Sequence, residues 1–138
     1  MASTRTNIEQ ERAAYAYTGV KRAKDSLGSK KAKEYKAYSK KVPMLIKTSG
    51  LGAAIAFMYS KGFKNGSLQR DTAYGVLYQQ TEHWLQQKGW ISQEEPMINA
   101  VIARQSKEYR AITNEIFALY NWLRRFAEGM IEGEAEEN

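Results

Sequence analysis

Cysteine is absent from the 138 residues, which excludes a disulfide framework and any thiolate metal site. Histidine occurs once, as His83 among Gln79, Gln80, Gln86 and Gln87, so no second imidazole exists to complete a zinc site. Aspartate occurs twice, as Asp25 and Asp71, far apart in the chain. A two-metal nuclease needs clustered carboxylates, and the only acidic cluster lies in the last residues. No P-loop or GxGxxG is present; Gly50-Leu51-Gly52 lacks the third glycine and a preceding strand. Glu94-Glu95 is explained by the dipole at a helix start. These absences predict a protein without catalytic residues, metal, cofactor or small-molecule substrate.

Proline is scarce and glycine is scattered, so no flexible linker divides the chain, and its length suits one domain. No apolar run approaches the roughly 20 residues of a membrane span, and Leu51 to Tyr59 is short and contains glycine. Met1 to Arg12 lacks the apolar centre of a signal peptide, which predicts a cytoplasmic protein. Hydrophobic residues at 43% are nevertheless too many for a disordered chain.

What is abundant is positive charge, unevenly placed. Between Lys21 and Lys64 twelve Lys and Arg face only Asp25 and Glu34, while from Phe126 onward the only charges are five glutamates. A basic block before an acidic tail points to a polyanion-binding face and a solvated C-terminus. The division expected is a single domain over residues 1–131 and an acidic, disordered tail over 132–138.

Helix signals dominate, and no stretch shows the sustained alternation of a strand. Thr6 or Asn7 suits the cap of a first helix reaching Ser26, with Gly28 as its stop. Ser29 suits the cap of a second, from Lys30 to about Thr48, kinked or restarted at Pro43. A third spans Leu51 to Lys61, stopped by Gly62, and Asn65-Gly66-Ser67 makes a turn. A fourth spans Leu68 to Lys88. Ser92 and Glu95 form a capping box for a fifth that starts at Pro96 and ends near Gln105. A sixth runs from Ser106 to about Met130. The fold class expected is all-α, a single compact bundle of about six helices.

At 100° per residue, Tyr35, Tyr38, Val42, Leu45 and Ile46 share one face of the second helix. Lys33, Lys36, Lys40 and Lys47 fall within about 60° of one another on the opposite side. Those four lysines are the candidate phosphate contacts, assigned by charge pattern alone. In the last helix Tyr109, Ile112, Ile116, Leu119, Leu123 and Met130 form the buried stripe, with Lys107, Arg110, Asn114, Asn121 and Arg125 across from it. A basic amphipathic helix can also lie on anionic lipid, but this one carries tyrosines and has partner helices to cover it.

Two segments resemble the small-subunit family of the type III-B (Cmr) CRISPR effector ribonucleoprotein. One runs from Tyr38 through Lys40, Pro43, Lys47 and Gly50 to Gly52, continuing with Ala54-Ile55-Ala56-Phe57 and Lys61. The other comprises Tyr109 to Thr113, Glu115, Leu119, Trp122-Leu123 and Arg125 to Gly129. Arg12 and Tyr17 in a basic N-terminal helix fit as well. The resemblance implies a non-catalytic helical subunit in antiviral defence. Its implied partners are the backbone subunits of the complex, neighbouring copies of itself, and the guide and target RNA. It also implies that Pro43 and Gly50 shape a joint, and that Trp122, Leu123 and Phe126 pack. The acidic tail has no counterpart in the family pattern.

Overall fold

The computed structural model describes residues 4–104 and 106–135. Among them are five helices, α1 (Thr4–Ser49), α2 (Leu51–Gly62), α3 (Ala73–Gln87), α4 (Met97–Ala103) and α5 (Ser106–Met130), and one small hairpin. The mostly helical bundle is as expected, since α1 is two helical arms joined at Gly28. Gly28 adopts φ 79°, ψ 169°, a conformation that residues with a Cβ avoid, so the chain turns there and a second arm begins. The expected break at Pro43 does not occur. Helical geometry continues through it, and Gly28 is the sole non-helical position within α1.

The hairpin is an addition to the helices expected. β1 (Phe63–Lys64) pairs antiparallel with β2 (Ser67–Leu68) across Asn65-Gly66, both with positive φ. Such a turn favours tight pairing, but strands of two residues are too short to show alternation in sequence. The hairpin also delays the next helix, because Gln69 N–H is held by the Gly62 carbonyl at 2.8 Å. α3 therefore begins at Ala73 rather than Leu68, with Thr72 as cap accepting from Gly75 N–H at 3.0 Å.

The capping box forms only in part. Glu95 accepts from Ser92 N–H at 3.2 Å, yet this closes a turn, and α4 starts after Pro96. The α4 start is instead held by α3, where Glu82 accepts from Met97 N–H at 2.8 Å and the Tyr78 hydroxyl from Ile98 N–H at 3.1 Å. Gln105, the expected end of that helix, lies outside the described residues.

α5 lies along α1, and α2 and α3 close the other side of the second arm of α1. The core between them holds Tyr35, Val42, Ile46, Ile55, Leu77, Leu85, Ile116, Leu119, Tyr120 and Leu123. The buried stripe expected on α5 is present, flanked by Tyr109 and Met130 at its half-buried ends. Lys107, Arg110, Asn114, Asn121 and Arg125 are exposed.

Candidate nucleic-acid interface

The second arm of α1 presents two charged flanks, because the helices on either side of it cover only its inner face. Ala32, Tyr35, Ser39, Val42 and Ile46 are all buried. Their centre lies roughly 50° round the helix from the stripe expected in sequence, displaced toward the lysines. The small side chains of Ala32 and Ser39 allow this, since α5 can pack closely against them. The four candidate lysines thus border the α1–α5 seam rather than standing opposite the core.

Their positions differ along that seam. Lys47 is exposed, its ammonium 5.8 Å from the centre of the Phe117 ring. Lys40 is exposed and pairs with Glu128 of α5 at 2.5 Å, which holds the Glu128 carboxyl below its usual range. Lys33 is half-buried, its aliphatic stem against Gly133.

Lys36 is different and corrects the four-residue stripe. It is only 5% exposed. Its ammonium donates to the carbonyls of Ile131 at 3.1 Å and Gly133 at 2.7 Å, with Glu134 at 3.5 Å. A buried ammonium needs such partners, because an unpaired charge out of water is costly. Lys36 is therefore engaged with the chain's own C-terminal segment and has no donor facing outward. The same contacts hold residues 131–134 on the bundle, while residues 136–138 of the acidic tail lie outside the described residues.

The opposite flank of the same arm holds residues that sequence reasoning missed. Lys31, Tyr38 and Lys41 line a groove of about 760 Å³ with Phe57 and Lys61 of α2 and Tyr74 of α3. Tyr38 stacks on Tyr74, centres 3.9 Å apart and planes 9° from parallel, and Tyr74 meets Phe57 edge-on at 5.4 Å. The ammonium groups of Lys41 and Lys61 lie 5.2 and 5.8 Å from the Phe57 ring centre. Burial, with Glu34 beside it, raises the Tyr38 hydroxyl, which stays protonated at neutral pH. The signal available in sequence was the spacing Lys31, Glu34, Tyr38, Lys41 on one helix face. What joins it to Phe57 and Lys61 is tertiary.

Two long-range contacts fix the scaffold behind these flanks. Tyr109 accepts from the N–H of Gly52 at 2.6 Å, so the Gly50-Leu51-Gly52 joint sits on a side chain of α5. Arg12 donates twice to Glu115 at 2.8 Å and also pairs with Glu9. Trp84 donates to the same Glu115 at 2.9 Å. Burial alone would push the Glu115 carboxyl up, but bonds from Arg12 and Trp84 outweigh it and hold the carboxyl low. The Arg12 guanidinium is held charged, first by its bond to Glu115.

These contacts join the residues on which the family resemblance rests: Gly52 with Tyr109, and Arg12 with Glu115. Residues 8–130 match the model of the CRISPR-associated protein family Cas_Cmr5. The chain belongs to the Cmr5 family. The CRISPR system Cmr subunit Cmr5 of Thermus thermophilus is 27% identical over 100 residues, covering 72% of this chain and 76% of that protein. The crystal structure of a CRISPR-associated Cmr5 family protein from the same organism superposes with a TM-score of 0.67. At 24% identity over 90% of this chain and 97% of that one, it shows that the fold is shared. Cmr5 membership bears out the resemblance read from the two segments and makes the chain a small-subunit-type CRISPR protein.

Within this Cmr5 fold, no group of three His, Cys, Asp or Glu side chains is placed to hold a metal ion among the described residues. His83 is exposed on α3, and Asp71 lies 3.9 Å from Lys31. No helix among the described residues is long and apolar enough to cross a membrane.

Proposed function

We propose that this chain is the non-catalytic small subunit of a type III-B effector complex in antiviral defence. It packs beside the backbone subunits and neighbouring copies of itself, and contacts the guide–target RNA through the lysine-rich arm of α1. The observation that carries the reading is the placement of Lys33, Lys40 and Lys47 along one flank of a rigid helix in a Cmr5-family chain. Lys36 is left out, since its charge is satisfied internally.

Lysine is a point charge suited to phosphates and lacks the planar fork that reads bases. The protein thus supplies backbone affinity, and the sequence of the bound strand is set by base pairing with the guide. Comparable guided systems divide the labour in this way. A single copy contributes little, but copies repeated along one RNA multiply modest contacts.

The test is RNA retention by the reconstituted complex across a salt series. Neutralising three phosphates gives a log–log slope of about −2 to −3 per subunit. The triple variant Lys33→Glu, Lys40→Glu, Lys47→Glu should assemble and then lose most of that salt-dependent affinity. Full retention of target RNA by the assembled variant would leave the chain a structural module whose lysines only solvate its surface.

A further inference from the structure

We infer that the groove between α1, α2 and α3 is a second nucleic-acid site, one that takes an unpaired nucleotide of a single strand together with its flanking phosphates. This deepens the RNA-contacting reading of the previous section but rests on different residues, on the opposite flank of α1.

Charge and aromatic surface occur together there in the combination that single strands use. Lys41 and Lys61 are exposed, and neither has a carboxylate within ion-pair distance among the described residues. Both ammonium groups lie within 6 Å of one ring, that of Phe57. Two unneutralised cations close to one aromatic ring present hydrogen-bond donors for phosphate beside an apolar floor. Lys31 adds a third cation at the end of the groove, only loosely held by Asp71 at 3.9 Å.

Tyr38 supplies the flat surface for a base. One face of its ring is covered by Tyr74, with the planes 9° from parallel, and the side chain is only half-buried. The stack is rigid because Tyr74 is buried and braced by Phe57. A base laid on the outer face of Tyr38 would extend this stack with little loss of side-chain freedom. Glu34 beside the Tyr38 hydroxyl accepts hydrogen bonds, so it can take an N–H of a base, the ring N–H of uracil included, and it repels a phosphate from that end. Lys41 and Lys61 at one side and the acceptor Glu34 at the other, where Lys31 faces Asp71, orient a nucleotide with its phosphates toward Lys41 and Lys61.

An acidic protein segment would satisfy the lysines but has no use for the planar face of Tyr38. Duplex RNA is disfavoured as well, because its bases are stacked internally and cannot reach the groove floor. The floor calls for an unpaired base.

The experiment measures binding of the purified full chain to a short fluorescein-labelled oligo(U), with polyglutamate as the competing probe. The Lys41→Glu, Lys61→Glu variant should weaken oligo(U) binding by at least about tenfold and make the salt slope shallower by about 1.4. Tyr38→Leu should cost at least about fivefold through lost stacking, and polyglutamate binding should not depend on Tyr38. Lys107→Glu, Arg125→Glu carries the same charge change on the exposed side of α5, outside both flanks, and should leave oligo(U) binding within about threefold, as distant exposed charges are screened. Circular dichroism confirms folding, and the Lys41/Lys61 result stands alone if Tyr38→Leu does not fold. Oligo(U) bound no better than polyglutamate, or equal losses in the two charge-reversed pairs, would overturn the site. If only the Lys40/Lys47 flank proves dispensable for target RNA in the complex, the earlier reading fails and the groove stands.

Discussion

The ammonium of Lys36 lies 2.7 Å from the carbonyl oxygen of Gly133, across 97 residues of sequence. One charge thus ties the centre of the basic block to the start of the acidic tail. It satisfies two carbonyls just beyond the end of α5, where a helix leaves its last acceptors without partners.

Lysines of one sequence stripe should therefore behave in two ways. Lys36→Met removes the donor and should lower stability by about 1–3 kcal/mol. Lys36→Glu buries a negative charge beside Glu134 and two carbonyl oxygens and should cost about 3 kcal/mol or more. Lys47→Glu, exposed, should stay within about 0.5 kcal/mol, and Lys40→Glu, exposed but losing its pair with Glu128, within about 1 kcal/mol. Urea unfolding of the four single variants checks this. Equal stability of Lys36→Glu and Lys47→Glu would contradict the buried contact.

Glu115 receives bonds from Arg12 and Trp84 while buried, and its carboxyl is held below the usual range. A carboxyl with a depressed folded pKa stabilises the fold above its unfolded value, near 4.3. That contribution should be lost as pH falls from there through the lower folded value. Glu115→Gln should cost about 3 kcal/mol near neutral pH by removing the buried partner of the Arg12 guanidinium, which then keeps only Glu9. It should also flatten the acid limb of stability against pH. Thermal melts of both proteins between neutral and acidic pH measure the two effects together.

Tyr74 has a buried hydroxyl with no hydrogen-bond partner among the described residues. Its ring holds the Tyr38 stack, but its oxygen is desolvated without return, and burial pushes its pKa above the normal tyrosine range. Tyr74→Phe should therefore be neutral or stabilising by up to about 1 kcal/mol. Tyr35→Phe, which loses a 2.6 Å bond to Gln80, should destabilise by about 1 kcal/mol. Denaturation midpoints of the pair should move in opposite directions or differ clearly in size.

Gly62 and Gly75 meet where α2 ends and α3 begins. A Cβ on Gly62 would lie 2.9 Å from the Gly75 backbone, and one on Gly75 would lie 2.0 Å from the Gln69 carbonyl oxygen. Gly75→Ala should cost about 3 kcal/mol or more, because backbone must move to admit it. Gly129→Ala, on α5 with open space around the site, should instead stabilise by up to about 1 kcal/mol through better helix propensity. Differential scanning calorimetry of the two variants tests the contrast.

Helix content, the turn at Gly28 and the buried stripe of α5 were legible because each depends on neighbours in sequence. Periodicity decides which residues of a helix can share a face, and Gly28 is needed for its own backbone angles. The residues of the family segments were legible for a related reason: they recur as a pattern. Pro43 misled because its local preference for a break was outweighed by packing on both sides of the arm. The hairpin escaped notice because pairs of residues carry no period.

The basic flank was legible only as a composition. Sequence by itself determined that the second arm of α1 is a cationic helix with one apolar face. It could not determine which of its two edges would meet α5, since Ala32 and Ser39 look neutral until a neighbouring helix packs on them. That packing turned Lys36 inward onto the Gly133 carbonyl and left Lys40 and Lys47 facing water. It also left Tyr38 and Lys41 beside Phe57 and Lys61, which stand about twenty residues further along the chain. Helical phase is a property of adjacent residues; burial and partnership of a charge are decided by which other element arrives, and only the tertiary structure settles that.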